Sequence, residues 1–108
     1  MAMSEVMEVA EEDSGREVEL RLHQALRIAL PEVRTAGFRW NLCALKEHVL
    51  SLAEDDIHAA VGAGGTAVHH WVFRAEEAGV ATIVMEYRRS WEHGAAPTRT
   101  FSLSVRVT

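Results

Sequence analysis

The end of the chain sets the strongest limit on its fold. Phe101, Leu103, Val105 and Val107 alternate with Ser102, Ser104, Arg106 and Thr108. Successive side chains of a strand point to opposite faces, so this two-residue period puts four apolar groups on one side and polar groups on the other. A helix would scatter the same four around its circumference. The period recurs upstream. Val18, Leu20 and Leu22 alternate with Glu17, Glu19 and Arg21, and Leu26, Ile28 and Leu30 follow until Pro31, which has no ladder donor and is expected to end that strand. Phe38, Trp40 and Leu42 begin a third strand. Residues 44–52 fit helix or strand by pattern, and a strand around His48 to Leu52 agrees with its neighbours. Trp71 and Phe73 share a face of a strand over about residues 67–75, Gly79 marks a turn, and Ile83, Met85 and Tyr87 alternate in the next strand. About seven short strands separated by turn signals, with no long helical period between them, predict an all-β fold, an antiparallel β-sandwich or barrel.

A chain of 108 residues holds one domain, and 48% hydrophobic with 25% charged residues is ordinary globular usage. Residues 1–14 are acidic and show no strand-like alternation, so they read as a frayed or disordered lead-in, with a short helix as the alternative, to a domain over 15–108. That lead-in carries five acids before the first basic residue, and from Gly15 onward eleven acids face eleven Lys and Arg. Without a basic field, nucleic acid is not an expected partner. No apolar run reaches membrane-spanning or signal-peptide length, so the chain as given reads as cytoplasmic, or secreted if its N-terminus was trimmed, with no membrane partner. Cys43 is the single cysteine and cannot form an internal disulfide.

Residue types with catalytic or metal chemistry do not assemble by pattern. His69 and His70 are adjacent, and consecutive strand positions face opposite ways, so they cannot share an ion and read as ordinary strand residues. Glu54, Asp55 and Asp56 lack the alternating oxygen ligands of a calcium loop and read as a solvated acidic turn. The stretch VGAGGT (61–66) is followed by no Lys-Ser/Thr and reads as a backbone turn rather than a phosphate cradle. Cys43, among Leu42, Ala44 and Leu45, reads as a buried inert thiol. The reading therefore contains no catalytic residue, no metal and no cofactor. Three loops remain: Val33 to Gly37, Gly62 to Gly65, and Arg88 to Gly94. The third carries Trp91 beside two arginines. Trp and Arg are enriched at binding hot spots, but a Trp here could equally fold back to plug the open end of a sandwich.

Taken together, the three loops resemble those of the chagasin family of cysteine peptidase inhibitors. Leu30 to Trp40 is similar to the family's Asn-Pro-Thr-Thr-Gly-aromatic loop and following Trp strand, Gly62-Ala63-Gly64-Gly65 to its Gly-x-Gly-Gly loop, and Glu86 to Glu92 to its Arg-Pro-Trp loop. Three weak likenesses in the right order make a specific one, spanning about residues 16–108. The resemblance implies an immunoglobulin-like antiparallel β-sandwich, monomeric, that blocks papain-like cysteine peptidases without a covalent bond. Arg34, Thr35, Ala36, Gly37 and Phe38 would then enter the cleft, with Gly62, Gly64 and Gly65 on one wall and Arg89, Ser90 and Trp91 on the other.

The chain also departs from that pattern. Val33-Arg34 stands where the family has Asn-Pro, Ala36 where it has a second Thr, and Ser90 where it has Pro. Each missing proline frees the unbound loop by roughly 0.4–1 kcal/mol, so the pair implies affinity lower by about tenfold, or another target preference. A recognition module using the same loop end for a non-peptidase protein is the alternative reading.

Overall fold

The computed structural model describes residues 6–33, 36–59, 66–89, 91 and 96–108. Among them are eight strands: β1 (Val6–Ala10), β2 (Glu17–Leu20), β3 (Ala25–Val33), β4 (Phe38–Ala44), β5 (Leu50–Ala59), β6 (Thr66–Ala75), β7 (Gly79–Arg89) and β8 (Arg99–Val107). They form two four-stranded sheets, ordered β1-β3-β6-β5 and β2-β8-β7-β4. The predicted sandwich is thus the fold, and the alternating residues are its core. Leu26, Ile28 and Leu30 face Trp71 and Phe73 in one sheet, Ile83, Met85, Phe101, Leu103 and Val105 line the other, and all are buried. Removing such a side chain from water contributes roughly 1.5–3 kcal/mol, which is what holds together a chain without a disulfide.

Several local expectations are corrected. The acidic lead-in is structured from Val6 onward: β1 runs parallel to β3 in five-residue register, Val6 opposite Ala25 to Ala10 opposite Ala29, and a single 3-10 turn, Glu11–Asp13, follows. Val9 is 5% exposed and joins the core. The acids of this segment are not simply solvated, since Glu11 pairs with Arg99, Asp13 with Arg16 at 3.0 Å, and the Asp13 carboxylate accepts the Ala10 amide proton at 2.9 Å. β2 is likewise parallel to β8, so each sheet has one parallel outer pairing and its other pairings are antiparallel. Leu22 lies past the end of β2 and is exposed.

Pro31 does not end β3, which continues through it to Val33. β1 flanks β3 only as far as Ala29, so beyond that point β3 has an open side where a missing donor is tolerated. The middle strand begins at Leu50, after a turn at residues 47–49, and carries Glu54, Asp55 and Asp56 inside it rather than in a turn. As an edge strand with a register shift between Leu52 and Glu54, β5 meets solvent on both faces and accommodates charge there. A second shift, between Leu42 and Ala44 of β4, leaves Cys43 without a cross-strand partner and exposed instead of buried.

If β1 is part of the core, Val9→Ala should lower unfolding free energy by about 1–2 kcal/mol in urea titrations. Val6→Ala, at an exposed position of the same strand, should change it by less than about 0.5 kcal/mol.

Candidate functional site

The strand register brings three chain reversals to one pole. In the first sheet Val33 of β3 pairs with Thr66 of β6, and Ala59 of β5 with Ala67, so the chain leaves β3 and passes from β5 to β6 at the same end. In the second sheet Phe38 of β4 pairs with Arg89 of β7, and Tyr87 of β7 with Arg99 of β8. Two hydrogen bonds then join the sheets at this pole. The Val33 amide donates to the Tyr87 hydroxyl at 2.8 Å, and Trp40 Nε1 donates to the Pro31 carbonyl at 2.9 Å. Segments 34–37, 60–65 and 90–98 therefore spring from neighbouring strand ends.

On this frame sits a stack of rings and cations. Tyr87 packs face to face on Phe38, 5.0 Å between centroids and 13° between planes, and against Trp40 at 4.8 Å. The Arg89 guanidinium lies 4.7 Å from the Phe38 ring centre and 5.8 Å from that of Trp91, and Arg99 lies 5.5 Å from Tyr87. Arg89 Nε is buried and has no hydrogen-bond partner among the described residues. Its cation is stabilised by the negative faces of the two rings instead.

Gly37 has φ +81° and lies directly beneath Trp91; a Cβ there would overlap the ring atoms Cζ3 and Cη2. Glycine is needed twice over, for the left-handed backbone and for the close approach. Trp91 keeps 61% of its surface exposed, so of the two readings open for it the inward plug is excluded. It lies as an apolar plate on the outside of the pole. Of the residues singled out in the sequence, Ala36, Gly37, Phe38, Arg89 and Trp91 are brought to this pole; Arg34, Thr35, Gly62, Gly64, Gly65 and Ser90 lie outside the described residues.

Tyr87, Trp40 and Arg99 were not legible as parts of the site, because their roles come from contacts between paired strands and, for Tyr87 and Trp40, between the sheets. A second omission is His69. It points inward, only 7% exposed, with Nδ1 2.8 Å from Glu32 Oε2 and Nε2 2.5 Å from Asp55 Oδ1, and its ring stacks on Trp71 at 3.8 Å. Here a signal was present: Leu26, Ile28, Leu30 and Glu32 share one phase of β3, so an acid occupied an inward position. His70 faces outward beside His58, with 5.2 Å between ring centres.

Chemistry elsewhere is weak. Among the described residues no group of three or more His, Cys, Asp or Glu side chains is placed to hold a metal ion. Cys43 is near the far end of β4; its thiol donates to the Asn41 carbonyl at 3.4 Å, and desolvation, with the Glu86 charge adding to it, raises its pKa. The reactive thiolate is thereby disfavoured. The Glu86 carboxyl is held below its usual value by hydrogen bonding to Arg88.

The sequence model for "Chagasin family peptidase inhibitor I42" matches residues 19–105. The chain is similar in structure to the cysteine protease inhibitor EhICP2 from Entamoeba histolytica, with TM-score 0.88 and 23% identity over 95% of this chain and 96% of that one. It is similar to amebosin, TM-score 0.77 and 26% identity over 94% and 97%. A third likeness is to PbICP-C, whose structure is in complex with falcipain-2, TM-score 0.64 and 16% identity over 94% and 98%. No curated protein matches the chain.

Two variants test this geometry. Gly37→Ala should push Trp91 off its seat, increasing acrylamide quenching of indole fluorescence, and the difference should vanish in a Trp91→Phe background. Tyr87→Phe leaves the Val33 amide without its partner and should lower stability by about 1–3 kcal/mol in urea unfolding.

Proposed function

The chain belongs to the chagasin family of peptidase inhibitors, and from that membership we propose that it inhibits papain-like cysteine peptidases reversibly, by seating its loop-bearing pole in the active-site cleft. The observation that carries this reading is the convergence of three reversals at one end of a prefolded sandwich, with Gly37 and Trp91 in contact across two of them. Arg34, Thr35, Ala36 and Gly37, with Phe38 at their base, enter the cleft above the catalytic thiol. Gly62, Gly64 and Gly65 approach one wall, and Arg89, Ser90 and Trp91 the other.

Physical chemistry favours blockage over turnover. A bound peptide is cleaved when it lies extended along the cleft with its carbonyl presented to the nucleophile, and the left-handed turn at Gly37 bends the chain away from that course. No bond is made or broken, so the chain acts by occupancy and not as an enzyme. An interface of ordinary size buries roughly 800 Å² on each partner, and three adjacent loops provide it. Phe38 and Arg89 stand on strand ends and are already packed with Trp91, so little ordering entropy opposes association at those residues. Trp91 supplies a rigid apolar plate already held on Gly37 and Arg89. Falcipain-2, the partner in the PbICP-C complex, indicates the class of target.

Titration of papain with the protein, read by release of a fluorogenic peptide, tests the reading. Inhibition should compete with substrate, reverse on dilution and saturate at one inhibitor per enzyme. Trp91→Ala should raise the inhibition constant by about 30-fold, the effect of losing a hot-spot side chain of roughly 2 kcal/mol. Absence of competition, or inhibition unchanged in both Trp91→Ala and Gly37→Trp, would falsify it.

A further inference from the structure

Glu32, His69 and Asp55 form a cluster that the occupancy mechanism does not use. Glu32 is fully buried in a sandwich whose other inward positions on β3 are Leu26, Ile28 and Leu30. An ionised carboxylate is costly there unless it is paired and hydrogen-bonded, and His69 Nδ1 meets it at 2.8 Å. The other ring nitrogen meets Asp55 at 2.5 Å. A neutral imidazole carries one N–H and one lone pair. With both nitrogens against carboxylate oxygens, a neutral ring would turn its lone pair toward a carboxylate. The two contacts are satisfied together only when the cluster holds one proton more than a neutral ring and two carboxylates carry, as with an imidazolium between two anions.

The position of the cluster gives this proton a role. His69 lies on β6, opposite Leu30 of β3 and Ile57 of β5. Glu32 is the penultimate residue of β3, which leads into 34–37, and Asp55 lies on β5, which leads into 60–65. One ring therefore ties together the stems of two of the three loops. Resting on the peptidase reading above, we infer that His69 is a positioning residue for inhibition: it clamps both stems through a proton shared with Glu32 and Asp55, and binding to the peptidase is tighter in acid than in alkali. When that proton is lost, one of the two contacts becomes a repulsion and the stems part.

Among the described residues, hydrogen bonds and ring contacts to His69 come from three strands. From β3 the charged group is Glu32 and from β5 Asp55; Trp71 of β6 stacks on it without charge. Asp56, His58 and His70 belong to the opposite face, where desolvation and the neighbouring His58 hold the His70 pKa below its ordinary value. Across the sandwich, Tyr87 and Trp40 give their polar atoms to Val33 and Pro31. His70 is outside the cluster, so a substitution within the cluster itself is the test.

Glu32→Gln is that substitution. A glutamine amide can donate to the lone pair of a neutral ring while the ring's N–H goes to Asp55, so both contacts survive without the extra proton. Inhibition of papain is measured at about pH 5.5 and about pH 9, well to either side of neutrality, each value referred to a small reversible inhibitor so that the enzyme's own titration cancels. The native protein should bind about tenfold more weakly at the higher pH, a coupling of ordinary size. Glu32→Gln should bind with little difference between the two, and His69→Gln should be weak at both. A flat native profile, or a Glu32→Gln profile that still falls with pH as the native one does, overturns the inference. If the native protein inhibits at neither pH, the peptidase reading fails, and the clamp is judged by amide exchange at Val33 and residues 67–69. Exchange should quicken with pH, beyond its intrinsic dependence, in the native protein and not in Glu32→Gln; equal behaviour in the two overturns the clamp as well.

Discussion

Two hydrogen bonds between the sheets, from the Val33 amide to Tyr87 and from Trp40 to the Pro31 carbonyl, fix the shape of the loop-bearing pole. Apolar packing sets the distance between two sheets but has little direction, so sheets joined by it alone can slide by fractions of a side chain. A hydrogen bond that loses its partner in a half-buried place costs about 1–3 kcal/mol. Both bonds end on the last three residues of β3, so they fix the height at which the chain turns toward Gly37. Tyr87 also stacks on Phe38 and lies beneath Arg99. The central turn, the base of β4 and the start of β8 thus refer to one ring.

Above that ring the pole is held by contacts that keep charge partly out of water. Arg89 sits between Phe38 and Trp91 with a buried Nε. A cation between ring faces loses hydration and regains part of it from the ring quadrupoles, an exchange that leaves it well placed for a charge-assisted bond to a partner. Cation and rings also immobilise one another, and side chains already ordered lose less entropy on binding. Trp91 shows the same economy, since an indole resting on a glycine is exposed without being free.

How far the fold could be read from the chain depended on what surrounds each strand. β8 and β7 each have neighbours on both sides and one wet face, so their period of two was plain. β1 was obscured because only Val9 of its five residues is buried, and because Glu8 within it and Glu11 just after it find partners in Arg27 and Arg99, far off in sequence. β5 was misread at Glu54 to Asp56, where an edge strand has no dry face to impose a period. Cys43 was misplaced by a register shift, which turns a residue to the other face without leaving a mark in the composition. At the loop-bearing pole Gly37 and Trp91 were legible, because their residue types carry the conformational message. Tyr87 and the Glu32, His69 and Asp55 cluster work through partners distant in sequence.

The missing prolines can be weighed in the same terms. Val33-Arg34 and Ser90 each forgo a ring that narrows the loop before it binds, a loss of roughly 0.4–1 kcal/mol per site. That loss applies to a loop otherwise free to move. Around Gly37 the chain is held by the inter-sheet bonds at its entry and by the Trp91 ring above it. Around Trp91 the ring is held by Arg89 and by the space that only a glycine leaves open. A backbone held by tertiary contacts gains less from proline, because the conformations that proline would remove are already scarce in the folded state. Contact between Gly37 and Trp91, one from the first loop and one from the third, is thus a constraint on those two residues that needs no proline.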